Sequence, residues 1–133
     1  MTDTSIPGAT TGSVNRLLRL EGAAIAIIAA TLFDQTAISW WWFLGLFLLP
    51  DAAFAAYALS PRIGAAAYNA THSTLGPLAL ASVAFVLEYW FMGGVALIWL
   101  SHVGADRALG YGLKYPTHFR DTHLGRLARR IAR

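Results

Sequence analysis

With no cysteine in the chain, any metal chemistry must rest on its four histidines and seven acids. Five of these ionisable residues stand inside apolar stretches: Glu21, Asp51, His72, His102 and Asp106. An ionisable group in a lipid-spanning helix costs roughly 2.5–3.5 kcal/mol on insertion scales, so it is expected to be paired or used. His102 and Asp106 are four apart, which puts both side chains on one helical face. His72 follows Asn69, Ala70 and Thr71, a small and polar run. Asp51 follows Pro50, where a kink would free polar backbone. A set of histidines and carboxylates suits Zn²⁺, Mn²⁺ or Fe²⁺. With an open coordination position, such an ion activates water for hydrolysis, here of a lipid headgroup or phosphoester. In that scheme His72, His102, Asp106 and His123 are the candidate ligands. Glu21 and Asp51 are the candidate catalytic acids, either one able to serve as general base.

Each residue also has a plainer reading. Asp106 can pair with Arg107, Arg62 or Lys114, and Glu21 with Arg16 or Arg19. His72 can make a helix–helix hydrogen bond of the kind membrane bundles use. His118 and His123 lie in the stretch Tyr115-Pro116-Thr117-His118-Phe119-Arg120-Asp121-Thr122-His123, which is either a solvated loop or a segment that closes on the cluster.

The elements that must position these residues are apolar helices. Hydrophobic residues make up 56% of the 133 and charged residues 13%, where a soluble domain carries about 25% charged. A soluble chain this short could not hide so much apolar surface. Four spans of about 20 residues are predicted: Leu17 to Phe33, Ile38 to Leu59, Ala65 to Leu87 and Tyr89 to Leu109. The second opens with Trp40-Trp41-Trp42-Phe43, an interfacial anchor. Gly76-Pro77 predicts a kink in the third. The reading is an all-α, four-helix transmembrane bundle spanning 16–115. A disordered tail of 1–15 precedes it, and a loop and amphipathic basic tail, 116–133, follow.

Charge placement orients the bundle. The ten basic residues are Arg16, Arg19, Arg62, Arg107, Lys114, Arg120, Arg126, Arg129, Arg130 and Arg133. With four spans all ten fall on one side, and the opposite loops carry only Asp34 and Glu88. The excess of Lys and Arg makes that side cytoplasmic, with both termini there. From Leu124 to Arg133 apolar and basic residues alternate at helical spacing, which predicts a helix on anionic lipid. The net charge of +3 thus has a topological cause, and membrane lipids, not nucleic acid, are the expected partners.

Several motifs carry a family resemblance: Leu20-Glu21-Gly22, Pro50-Asp51, Ala66-Ala67-Tyr68-Asn69 with His72, Trp99-Leu100-Ser101-His102 with Asp106-Arg107, Gly110-Tyr111-Gly112-Leu113-Lys114-Tyr115 and Thr122-His123-Leu124-Gly125. They resemble domain of unknown function 4260, a family of small bacterial membrane proteins, over about Arg16 to Arg126. The resemblance implies a four-helix protein of the bacterial inner membrane and leaves activity open. Thr71-His72-Ser73 and Ser101-His102 with Asp106 also resemble, in part, motifs of membrane-bound metal-dependent hydrolases. Tyr68-Asn69 stand where those enzymes carry His-Arg. A His-x-x-x-Asp occurs in membrane lipid phosphatases too, but their Arg-Pro and Pro-Ser-Gly-His motifs are missing here.

Two functional readings therefore stand side by side. One is a membrane protein that binds lipid or a small ligand, or uses the polar cluster for packing. The other is a membrane-embedded metal-dependent hydrolase. A haem protein with His72 and His102 as axial ligands, and an ion-coupled carrier working as a homo-oligomer, are further options.

Overall fold

The computed structural model describes residues 6–126, and it is all-α apart from one small hairpin. Helix α1 (Gly12–Asp34) is followed by α2 (Trp40–Leu46), a 3₁₀ helix (Leu49–Ala58), α3 (Pro61–His72), α4 (Leu75–Val86) and α5 (Trp90–Leu109). Strands β1 (Asp121–Thr122) and β2 (Gly125–Arg126) pair antiparallel. Helix α5 is central, with α1, α2 and α4 packed against it, while α3 lies against the 3₁₀ helix.

Local chemistry sets the breaks. Pro50 stands in the first turn of the 3₁₀ helix, where a missing N–H costs nothing. Ser60 caps α3 by accepting the Ile63 N–H at 3.1 Å, and Pro61 opens that helix. The chain leaves α3 at Ser73, whose backbone is extended (ψ 153°). Pro77 then sits in the first turn of α4. Gly110, at φ +94°, ends α5, with the Tyr111 N–H returning to the Asp106 carbonyl at 2.8 Å.

These breaks divide two of the four expected spans. The third expected span is two helices of 12 residues each, each about 18 Å long where the bilayer core is about 30 Å. The break falls at Ser73-Thr74, three residues before the Pro77 kink that the sequence suggested. The second expected span is α2 joined to a 3₁₀ helix. Among the described residues one segment, Trp40–Ala58, is long and apolar enough to cross a membrane.

Much of the surface is apolar. Helix α1 buries Gly22, Ala29 and Phe33 and exposes Leu17, Leu20, Ile27, Ile28 and Leu32. Trp41, Phe85 and Trp90 are each at least 80% exposed. Small residues let α1 and α5 meet at backbone distance. A Cβ on Gly22 would stand 2.8 Å from the Gly104 carbonyl oxygen, and one on Gly104 would stand 2.6 Å from the Ala26 nitrogen. Ser101 donates its hydroxyl to the Ala26 carbonyl at 3.2 Å in the same seam.

The N-terminal end of α1, the C-terminal end of α5 and the hairpin share one end of the molecule. Arg19 donates to the Ala108 carbonyl at 2.8 Å, and Thr10 donates through its N–H to the His123 carbonyl, also at 2.8 Å. Helix α1 begins at Gly12, so the boundary expected at residue 15 falls inside it. The basic tail expected from Leu124 to Arg133 lies outside the described residues beyond Arg126, and its first residues form the hairpin.

Candidate metal centre

Three elements deliver four side chains to one point. Asp51 comes from the first turn of the 3₁₀ helix, His72 from the last turn of α3, and His102 and Asp106 from successive turns of α5. One ligand atom from each lies within 4.8 Å of all the others. His72 Nε2 is 3.1 Å from Asp51 Oδ1, 3.5 Å from Asp106 Oδ2 and 3.1 Å from His102 Nε2. His102 Nε2 is 3.4 Å from Asp51 Oδ1 and 3.7 Å from Asp106 Oδ2.

The donor set fits a divalent ion. A tetrahedral ion bonded to nitrogen and oxygen at about 2.0–2.1 Å has ligand–ligand edges of about 3.3–3.4 Å, and the five separations bracket that value. The His72 tautomer agrees. Its Nδ1 is 3.0 Å from the Tyr68 carbonyl, an acceptor, so the proton belongs on Nδ1 and the lone pair of Nε2 faces the group. Charge agrees as well. Among the described residues, the contact ion pairs of Asp51 and Asp106 are with these two imidazoles, not with Lys or Arg. Arg107 instead donates to the His72 carbonyl at 2.7 Å and to the Tyr111 carbonyl at 3.0 Å. Two carboxyl groups and two imidazoles, with no Lys or Arg in ion-pair contact among the described residues, are a donor set that suits a divalent cation.

The group is walled on one side and open on the other. His72 is fully buried and His102 2% exposed, while the Asp51 side chain keeps 35% of its surface. Tyr68, one turn before His72, stacks flat on that ring with centroids 3.7 Å apart, and its hydroxyl donates to Asp106 Oδ2 at 3.3 Å. Phe47 meets His102 edge-on at 5.2 Å. Trp99 donates its indole N–H to the Thr71 carbonyl at 2.6 Å, tying the end of α3 to α5.

A second layer comes from the loop after α5. The Asn69 side chain pairs with the Lys114 backbone in both directions, at 2.8 and 2.7 Å, like a rung of sheet. The Lys114 side chain runs inward, 4% exposed, and its ammonium donates to the Phe119 carbonyl at 2.7 Å. It lies 3.9 Å from the Phe119 ring and 4.9 Å from Tyr68. Burial pulls its pKa down, and the negative charge of Asp106 resists that fall. Phe119 packs on Phe54 and Tyr57 of the 3₁₀ helix, so the loop does fold against the wall of the site.

Four of the six sequence candidates meet here. Glu21 is exposed on α1 and lies outside the converging group, as does His123. The latter is a loop fastener: its Nδ1 accepts the Leu113 N–H at 2.8 Å, and burial lowers its pKa, with the Arg107 charge adding to that. His118 is exposed and accepts the Arg120 N–H. Tyr68 and Lys114 were missed as site residues. Spacing held the clue for Tyr68, since position i−4 places its ring under His72. Haem ligation does not fit, because two Nε2 atoms 3.1 Å apart beside two carboxylates leave no plane for a macrocycle between them.

The model for domain of unknown function (DUF4260) matches residues 15–127. The chain belongs to this family. The DUF4260 match spans every residue of the His/Asp group and its Tyr68 and Lys114 surroundings, so the centre lies within the family's domain. No curated protein and no solved structure matches the chain.

Proposed function

We propose that this chain is a membrane-embedded hydrolase that depends on a divalent metal held by His72, His102 and Asp106, with Asp51 beside an open fourth position for water. One observation carries the reading: ligand atoms of two histidines and two aspartates, from three separate elements, lie within 4.8 Å of one another. An ion in that place supplies a Lewis acid and water of lowered pKa. Asp51 is the side chain nearest solvent, so substrate enters along it. Its Oδ1 faces the imidazoles, which leaves Oδ2 to take the proton of the attacking water.

The membrane part rests on the exposed Leu, Ile, Trp and Phe side chains, the apolar Trp40–Ala58 segment and the gathering of basic residues. Arg16, Arg19, Arg107 and Lys114 stand at the end shared by the start of α1 and the end of α5. Asp34, Glu88 and the aromatic residues Trp40 and Trp90 flank the other ends of those helices. That asymmetry supports a cytoplasmic basic end, and with it a centre near the cytoplasmic leaflet.

The test is turnover of chromogenic phosphomonoester, phosphodiester and carboxylic ester probes by the detergent-purified chain loaded with Zn²⁺, Mn²⁺ or Fe²⁺. The reading expects hydrolysis of at least one probe class that vanishes with chelator. It also expects Asp51→Asn to lose turnover yet keep the ion. An ion held with no turnover on any class would overturn the hydrolase and leave a metal site that staples α3, α5 and the 3₁₀ helix together.

A further inference from the structure

A cavity of 220 Å³ lies against the metal centre, lined by Leu46, Leu49, Pro50, Thr71, Val95, Ile98 and Trp99. Its lining is almost wholly apolar. Its walls are the neighbours of the ligands themselves. Pro50 precedes Asp51, Thr71 precedes His72, and Ile98 lies one helical turn before His102 on the same face. The Thr71 hydroxyl links the cavity wall to the centre, 3.2 Å from the Pro50 carbonyl and 2.8 Å from His72 Nδ1. Leu49, 60% exposed, stands at the rim.

From this arrangement we infer that the substrate is an amphiphile, with its hydrolysable oxyanion head at the metal and its hydrocarbon chain in this cavity. The inference rests on the metal reading above. An occupant lying along the 3₁₀ helix passes from Leu49 to Asp51 in two residues, about 4 Å of rise. That distance separates an apolar slot from a polar centre by less than one headgroup. The rim belongs to the Trp40–Ala58 segment, which is long and apolar enough to cross a membrane, so a chain enters sideways from the hydrocarbon phase without crossing water. From the bilayer the gain is one of position: the cavity fixes which bond of the head lies over the ion.

The experiment uses the full chain in detergent, loaded with Zn²⁺, and two photoreactive probes with the same diazirine-tipped decyl chain. One carries a phosphonate head and the other a hydroxyl. Crosslinks are mapped by mass spectrometry, and bound zinc is measured in the same samples. The inference expects the phosphonate probe to mark the peptides of Leu46 to Pro50 and Val95 to Trp99 well above lipid-facing peptides such as Phe85 to Trp90. In Val95→Trp, and independently in Leu46→Trp, both of which fill the cavity, marking there should fall to the lipid-facing level with zinc content unchanged. Uniform marking of all apolar surfaces with zinc bound, or marking that survives both substitutions, would overturn the cavity as the tail site. Equal marking by both probes in a chain that holds no zinc would overturn the shared metal-and-tail substrate and, separately, the metal reading.

Discussion

Adding one methyl group at two places on α5 should give opposite results. Gly93→Ala and Gly104→Ala are the same change in the same helix, and each gains up to about 1 kcal/mol of helix propensity. A Cβ at Gly93 meets only Ala84 Cβ, at 3.9 Å, an ordinary contact. A Cβ at Gly104 would stand 2.6 Å from Ala26 N, 2.7 Å from Gly22 O and 3.1 Å from Ala26 Cα. All three are backbone atoms of α1, so no rotamer change relieves the clash and the two helices must part. The propensity gain is common to both variants and cancels. The difference between them is then the overpacking cost, about 1–3 kcal/mol. Because Gly104 lies midway between His102 and Asp106, the same displacement moves two ligands of the centre, so metal affinity should fall along with stability. Denaturation in mild detergent with urea or SDS, run beside a zinc titration, measures both quantities. Gly93→Ala should match or exceed the parent in each. Equal stability of the two variants would refute the seam between α1 and α5 as described.

Tyr68→Phe keeps the ring stacked on His72 and removes only the hydroxyl donated to Asp106. Losing such an outer partner typically costs about 10–100-fold in metal affinity, so competition with a zinc indicator should show weaker binding without loss of the fold. His123 gives a pH prediction. Its folded pKa is lowered, so the neutral ring stabilises the fold above the unfolded value of about 6.5. That contribution is lost as pH falls below it toward the folded pKa. Exchange of the Leu113 amide proton should therefore be more strongly protected at pH 7.5 than at pH 5.5, after correction for intrinsic rates, and His123→Ala should abolish the difference. Asp121, held low first by its hydrogen bond from Arg126, behaves alike at lower pH. Its stabilisation is present above about 3.9 and is lost as pH falls through its folded pKa, sooner in Arg126→Gln. Unfolding of the hairpin followed by NMR reports it.

Some of this was legible in residue spacing. The i, i+4 rule placed His102 and Asp106 on one face, and Pro50 marked where the second apolar run bends to present Asp51. The helical character of the chain followed from its apolar runs. The count of elements did not, because hydropathy averages over Ser73-Thr74 and over the 3₁₀ stretch, where the backbone rather than the side-chain polarity changes. Glu21 drew attention as an acid in an apolar helix, yet it is Gly22 beside it that the fold uses, by letting α5 approach. Asn69 looked like company for His72 and proves to be a clamp on the Lys114 backbone, a partnership 45 residues away that no local pattern encodes. Lys114 itself read as one of ten topological charges. Only the fold turns it inward between Tyr68 and Phe119.

The central claim is tested most directly by elemental analysis of the chain purified in mild detergent without a metal-chelating tag. It should be run beside His72→Ala and His102→Ala with their helicity checked by circular dichroism. The convergence of Asp51, His72, His102 and Asp106 predicts about one transition-metal ion per chain, lost in both variants while the helices persist. A parent chain that stays metal-free after incubation with Zn²⁺, Mn²⁺ or Fe²⁺ would contradict it, and the four side chains would then be a hydrogen-bonded knot between helices.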